Sequence, residues 1–225
     1  MGSVIAVGAG TTNDGGFAIG VTGHRPDRLS TADLPAIRVQ TAAVLDALAT
    51  WAGSGRNGWD GSAPGLLIVS SLAEGADRLM AEVGMERGGR LLAILPFARA
   101  EFARDFATAA SVAEFDALLD RAAEMIELPG ARGDHATDAA YEAAAAAVLD
   151  HSDVLLAIWD GEAGRGIGGT AHTIAAAIAQ GIPVVRIAAR TPHEVTVPPI
   201  GANGLDGSGP GDWGIFPISP GGHGR

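Results

Sequence analysis

The segment DVLLAIWDGEAGRGIGGTAHTIAAAIAQGIPVVRI, residues 153–187, contains the strongest indication of the fold of this chain. An apolar run leads into a glycine-rich loop, which is followed by an alanine-rich run and a second apolar run. This order predicts a strand, a loop, a helix and another strand. A glycine-rich loop that enters a helix N-terminus is a typical anion site, because its unpaired amides and the helix dipole favour negative charge. A ligand that carries phosphate is therefore the first hypothesis.

The composition restricts the class of protein. The 225 residues, of which 47% are hydrophobic, suffice for one sizeable α/β domain. The absence of cysteine excludes disulfides and thiolate metal sites, and a cytoplasmic location is expected. A net charge of −11 argues against binding to nucleic acid or to anionic membranes, since both depend on clustered Lys and Arg. Neither nucleic acid nor a membrane is therefore expected as a partner.

The chain divides into three regions by composition. Residues 1–16 are interpreted as a flexible leader, because they are short and lack the basic start of a signal peptide. Residues 17–197 alternate apolar runs with helical periodicity, and residues 198–225 form a Gly- and Pro-rich tail without periodicity. The alternation predicts a doubly wound α/β fold with a mainly parallel sheet of about six strands and helices on both faces. The strands are predicted at 17–22, 65–72, 90–97, 124–128, 153–159 and 183–188.

Four groups of polar and glycine residues directly follow predicted strands. Because the carboxyl ends of parallel strands meet at one edge of a sheet, we expect these groups to line one ligand site there. They are Gly23, His24 and Arg25 after the first strand, Ser70, Ser71 and Glu74 after the second, Trp159 and Asp160 after the fifth, and Arg165, Gly168, Gly169 and Thr170 in the glycine loop.

The glycine loop has two interpretations. In the first, the amides of Gly168 and Gly169 approach a phosphate, which the Thr170 hydroxyl also contacts and over which Arg165 closes. In the second, Thr170 is an ordinary helix cap and Arg165 is a solvated loop residue. The number of glycines exceeds what a cap requires, which favours the phosphate site.

The strand ends leave similar alternatives open. His24 and Arg25 either donate to an anion or form a solvent-facing turn with an ion pair. Asp160 either accepts hydrogen bonds from ribose hydroxyls or belongs to a tight turn, and Trp159 either stacks on a base or packs in the core.

The second strand end carries the one catalytic candidate. Ser70 and Ser71 either bind ligand hydroxyls or cap the following helix. Glu74 is a candidate general base or sugar acceptor, but a carboxylate in the first turn also stabilises a helix through its dipole, and that interpretation is the stronger one. The histidines show no metal-ligand spacing with carboxylates, so no metal site is expected.

The motifs GVTGHRP at 20–26, VSSLAEGADRLMAE at 69–82 and ILPF at 94–97, followed by the opening segment, resemble the SLOG superfamily in their order and spacing. This is the Rossmann-like group named after the DNA-processing protein DprA and the Lonely-Guy (LOG) enzymes. The resemblance covers residues 17–188 and is nearest to the nucleotide-sensing proteins of bacterial defence and signalling systems. It implies a Rossmann-like fold, a nucleotide-derived ligand at the glycine loop, and a homodimer.

The resemblance breaks at the catalytic position. Lonely-Guy enzymes cleave the N-glycosidic bond of a nucleoside monophosphate and carry PGG-x-GT-x-x-E, whose glutamate is catalytic. Aligned on Gly169 and Thr170, this chain has Thr173 at the glutamate position and Arg165 in place of the proline. The first functional prediction is therefore binding of a nucleotide or nucleotide-derived small molecule, as a ligand sensor or binding module, with no cofactor required. The alternative is an N-glycosidic hydrolase or phosphoribohydrolase that uses Glu74, and a third possibility is an interaction scaffold.

Overall fold

The six apolar runs form the parallel part of one sheet in a computed structural model, which describes residues 16–53, 65–162, 169–197 and 214–215. All six predicted strands are confirmed. The two strands that were not predicted, at the far edge, are antiparallel and only three and two residues long. The strands are β1 (Phe17–Gly23), β2 (Leu66–Ser70), β3 (Arg90–Leu95), β4 (Glu124–Glu127), β5 (Val154–Trp159), β6 (Val184–Ala188), β7 (Val195–Val197) and β8 (Gly214–Ile215). The last of these lies in the segment predicted as a tail.

The order of the strands across the sheet is β4-β3-β2-β1-β5-β6-β7-β8. The chain builds outward from β1 to β4 and then returns to place β5 on the other side of β1. The direction of winding therefore reverses between β1 and β5, where Thr22 is paired with Ala157 and Gly23 with Ile158. Ligands of open α/β sheets bind beyond the carboxyl ends of the strands at such a reversal.

Helices cover both faces of the sheet, as predicted. Those named α1, α2 and α4 pack together on one face, and α5 and α6 pack together on the other. No helix within the described ranges combines the length and the apolar character needed to cross a membrane. The helices are α1 (Leu34–Ala52), α2 (Ala76–Glu86), α3 (Arg99–Phe102), α4 (Ala109–Leu119), α5 (Asp134–Asp150) and α6 (Thr170–Ala179), with 3-10 turns at Pro26–Arg28 and Ala103–Asp105.

Burial on both faces explains why the strands are continuous apolar runs rather than alternating ones. In β1, Ile19 and Val21 join the core formed with α1 and α2, whereas Ala18 points to the opposite face, where it packs with Val148 of α5. Each of these side chains is at most 2% exposed. The central strands are thus held from both sides, which keeps their carboxyl ends in fixed relative positions.

Candidate functional site

A cleft of about 300 Å³ opens at the carboxyl end of β1, beside the point where the winding reverses. Its walls come from the turn after β1, the loop after β2, the N-terminal ends of α2 and α6, and one side of α5. The residues predicted from the sequence that line it are Gly23, His24, Arg25, Ser71, Gly169 and Thr170. Three of the four predicted groups are therefore represented in one cleft.

The N-terminus of α6 contributes backbone to the cleft. The helix begins at Thr170 and follows Gly169, which has no side chain that could cap it. Thr173, which aligns with the glutamate of the Lonely-Guy motif, is buried and donates its hydroxyl to the Gly169 carbonyl at 3.3 Å. Arg165 and Gly168 lie outside the described residues. The described part of the loop thus directs an uncapped helix end toward the cleft.

Two arginines in the turn after β1 line the cleft and differ in their contacts with carboxylates. Arg25 is exposed, forms no ion pair with any residue in the described ranges, and lies with its guanidinium carbon 5.9 Å from the centre of the Tyr141 ring. Arg28 donates from Nη2 to both carboxylate oxygens of Asp160, at 2.9 and 2.7 Å. Arg25 is therefore available for a ligand, whereas Arg28 is already held.

Asp160 does not line the cleft but lies behind it, with its side chain 1% exposed. Besides Arg28, its carboxylate pairs with Arg190 at 3.2 Å and accepts the backbone N–H of Glu162 at 3.0 Å. Burial raises the pKa of Asp160, but the hydrogen bonds from Glu162, His24 and Arg28 outweigh burial and lower this pKa to about 2. The side chain predicted to hold ribose thus fastens the turn after β1 to the end of β5.

His24 is 4% exposed and shares this network. In the neutral ring, Nε2 accepts the backbone N–H of Asp160 at 3.1 Å, and in the protonated ring the same atom donates to Asp160 Oδ1 at 2.9 Å. Burial lowers the pKa of His24 even though Asp160 favours its charged form. The imidazole therefore stays neutral to a lower pH than an exposed histidine would.

Trp159 also lies outside the cleft lining. Its indole nitrogen donates to the Glu162 carbonyl at 2.9 Å, and the guanidinium carbon of Arg186 lies 5.3 Å from its ring centre. The indole ring thus contacts the residues after β5 and the Arg186 side chain of β6 rather than the cleft.

The two serines after β2 have different roles, since Ser70 supports the backbone turn and Ser71 lines the cleft. Ser70 is fully buried and its hydroxyl accepts the backbone N–H of Leu72 at 3.0 Å, which supports a left-handed backbone at Leu72 with φ of +55°. Arg78, itself buried, donates to the Leu72 carbonyl at 3.1 Å. This turn brings Ser71 into the cleft lining.

Glu74, the catalytic candidate from the sequence, lies outside the cleft lining. Its carboxylate accepts a hydrogen bond from the Ser111 hydroxyl at the start of α4. The side chain thus links the loop after β2 to a neighbouring helix.

Asp77 is a buried carboxylate of the cleft that was not predicted as a site residue. It lies in the first turn of α2 and is 7% exposed. Burial raises the pKa of Asp77 to about 7, against the opposing effects of Arg25 and of backbone groups of Ala73 and Gly23. The sequence pattern contained a signal, because Asp77 has helical spacing with Met80 and Ala81 and so belongs to the buried side of α2.

Tyr141 completes the wall formed by α5. Its hydroxyl donates to the Asp105 carboxylate, and burial together with this bond raises the pKa of the phenol. With Pro96 and Phe102, the ring provides an apolar surface opposite the polar turn. Across the described ranges, no group of three or more histidine, aspartate or glutamate residues is arranged to hold a metal ion.

Comparisons with known proteins find similarity in solved structures alone. No family model matches the chain, and no curated protein matches it. DNA processing protein A from Streptococcus pneumoniae is 17% identical, with a TM-score of 0.49 over 76% of this chain and 50% of that one. The same protein from Helicobacter pylori is 16% identical, with a TM-score of 0.47 over 80% and 69%. The molybdenum cofactor carrier protein from Chlamydomonas reinhardtii is 18% identical, with a TM-score of 0.37 over 76% of each chain. The chain spans about half the length of the S. pneumoniae protein.

These structures correct one prediction. The H. pylori protein is described by its single-stranded DNA binding mode, so the prediction that nucleic acid is not a partner is wrong as an inference from net charge. A net charge of −11 does not report how cations are distributed over one surface.

Apart from this correction, the similarity to solved structures concerns only the fold. The topology described above is a Rossmann-like, doubly wound α/β fold, as predicted. The Rossmann-like fold that the resemblance to the SLOG superfamily implied is therefore observed, and the similar structures include DNA processing protein A.

Proposed function

We propose that the chain binds a nucleotide-derived small molecule in the cleft at the end of β1, as a ligand sensor or binding module. One observation carries the proposal: Arg25, which has no ion pair with any described residue, and the N-terminus of α6, which no described side chain caps, line the same cleft. A guanidinium and a helix N-terminus both bind phosphate groups, the first through paired charged donors and the second through free amides and the helix dipole. Their position beside the reversal of winding agrees with where such folds bind ligands.

The remainder of the lining supports a ligand larger than phosphate. Pro96, Phe102 and Tyr141 offer apolar surface that suits a base or a sugar face, and the Thr22 and Ser71 hydroxyls can pair with ribose. A mainly apolar pocket with a few placed polar groups is typical of small-molecule sites.

The contacts of two side chains favour binding over hydrolysis of a glycosidic bond. Glu74 is paired with Ser111 away from the cleft, and Thr173 cannot act as an acid or a base in place of a glutamate. We therefore do not extend the proposal to a hydrolase that uses Glu74.

The test is isothermal titration calorimetry of the full chain with ADP-ribose, AMP and adenosine, the last lacking phosphate. We expect at least one of the two phosphate-bearing compounds to bind, and adenosine to bind at least about tenfold more weakly. Arg25→Gln should weaken binding of the phosphate compound by about 10- to 100-fold, because a charge-assisted hydrogen bond is lost.

Arg38→Gln is the matched control. It removes the same charge from α1, where Arg38 pairs with Glu82 at 3.2 Å and with Glu86, outside the cleft lining. Its affinity should equal that of the unaltered chain. No binding of either phosphate compound by folded protein, or equal effects of the two substitutions, would contradict the proposal.

A further inference from the structure

A buried carboxyl group, that of Asp77, lines the cleft that we propose for an anion. Such a group opposes an anionic ligand when it is ionised and can donate a hydrogen bond to it when it is protonated. We infer that Asp77 takes up a proton when the ligand binds, so that the cleft holds an anion of constant charge more tightly as the pH falls. The inference rests on the proposed function and names a residue that regulates the same site.

The geometry leaves Asp77 without a close cationic partner. No arginine or histidine nitrogen of the described residues lies within 4.0 Å of its carboxylate. Arg78, the adjacent residue, donates instead to Ser111 and Glu114, to the latter at 2.8 Å. Burial therefore disfavours the ionised form of Asp77 more strongly than this form is favoured by the longer-range effects of Arg25 and Arg78 and by the backbone hydrogen bonds of Ala73 and Gly23.

The other charged and titratable groups that face Asp77 come from three elements. The turn after β1 contributes His24, Arg25, Asp27 and Arg28, α5 contributes Tyr141, and α2 itself contributes Arg78. Burial lowers the pKa of His24 and raises that of Tyr141, which moves both away from neutrality, whereas burial raises the pKa of Asp77 to about 7.

Proton uptake follows from the added negative charge. A phosphate placed between Arg25 and the N-terminus of α6 lies in the same cleft as the Asp77 carboxyl, and a like charge raises the pKa of that carboxyl further. Coupling between two bound species is reciprocal, so the proton must strengthen binding of the anion by the factor by which the anion strengthens binding of the proton.

The experiment is calorimetry with ADP-ribose, whose pyrophosphate keeps a constant charge between about pH 6 and about pH 8.5. Titrations in pairs of buffers with different ionisation enthalpies measure the number of protons taken up. At about pH 8 we expect an uptake of about half a proton per ligand or more, and between about pH 6 and about pH 8.5 an increase of the dissociation constant by about tenfold or more.

Two variants identify the residue that takes up the proton. Asp77→Asn keeps the shape of the side chain and cannot titrate, so its uptake near pH 8 should vanish and its affinity should stay constant over this range. His24→Gln, whatever its affinity, should retain the uptake above pH 7, because the pKa of His24 is lowered. Far-ultraviolet circular dichroism checks that both variants are folded.

The outcomes separate the two proposals. Binding with no proton uptake by the unaltered chain overturns this inference and leaves the proposed function intact. Uptake that persists in folded Asp77→Asn, or that disappears in His24→Gln, also overturns it. Should Asp77→Asn fail to fold, the uptake of the unaltered chain and of His24→Gln decides the question. Absence of binding at every pH overturns the proposed function and this inference together.

Discussion

Asp160 accepts hydrogen bonds from Arg28 and Arg190 and contacts His24, and these residues come from the turn after β1 and from the end of β6. Its carboxylate is nearly inaccessible to solvent, and a buried charge is tolerated only when it is paired in this way. At the scale of the residue, Asp160 acts on the cleft indirectly, because the turn that it holds carries Arg25.

Replacement of Asp160 by Asn should lower the free energy of unfolding by about 2 to 3 kcal/mol at pH 7, because charged hydrogen bonds from two arginines are lost. The folded-state pKa of Asp160 is lowered to about 2 from 3.8. The stabilisation by its charge is therefore complete above about pH 4 and is lost as the pH falls toward about 2. Urea unfolding of both proteins across this range measures the difference, which should shrink in acid.

Asp46→Asn provides the comparison, since Asp46 also pairs with an arginine, Arg87, at 2.8 Å but is 64% exposed. An exposed pair contributes little, so the change should be below about 1 kcal/mol. Equal effects of the two substitutions at pH 7 would contradict the role given to burial of Asp160.

At the scale of the element, α2 is joined to the turn after β1 through its first residue. The backbone N–H of Ala76 donates to the His24 carbonyl at 3.0 Å, so one amide of the helix N-terminus is satisfied by the cleft turn itself. Gly75 precedes the helix with φ of +98°, a backbone conformation that side chains with a Cβ rarely adopt. A Cβ at Gly75 would lie 2.6 Å from the His24 carbonyl oxygen.

Gly75→Ala should therefore destabilise the fold by about 3 to 4 kcal/mol, through backbone strain and the clash together. Gly88→Ala, after the other end of α2, is the matched control, because Gly88 has φ of +79° but a Cβ there would meet nothing within 4 Å. In Gly88→Ala, backbone strain alone should lower the free energy of unfolding by about 1 to 2 kcal/mol. Urea titration measures the free energy of unfolding of both variants. A smaller decrease for Gly75→Ala than for Gly88→Ala would contradict the prediction.

At the scale of the whole molecule, the sheet is most constrained where helices cover it on both faces. Strands β1, β2 and β5 lie at its centre, whereas β4 and β7 lie toward its edges. Local stability should follow this order, since opening a central strand exposes core from both sides.

Hydrogen exchange followed by mass spectrometry should therefore find the slowest amides in β1, β2 and β5 and faster exchange in β4 and β7. Addition of ADP-ribose should slow exchange by severalfold in segments 22–28, 71–77 and 169–173, which contain most of the polar cleft lining. Segment 34–52, which contributes nothing to that lining, should be unchanged. Ligand protection centred on another surface would contradict the location of the site.

The strands and helices were predictable because their signals are local. Runs such as FAIGVT at 17–22 and helical spacing from 34 to 48 indicate the elements without knowledge of their partners. The rule that parallel strands end at one edge then brought Gly23, Arg25 and Gly169 to one place. The short β7 and β8 were missed because two or three residues carry no period, and they become strands only by pairing with β6 and with each other.

Periodicity and chain order are sufficient to predict the α/β class, the six parallel strands and the edge of the sheet at which the cleft lies. Which polar side chains face the cleft depends instead on contacts between residues that are distant in the chain. Asp160 and Arg28 are 132 positions apart, and Glu74 and Ser111 are 37 apart, so neither pairing leaves a local pattern. Those pairings draw Asp160 and Glu74 away from the cleft and leave Asp77 as the buried carboxyl group within it.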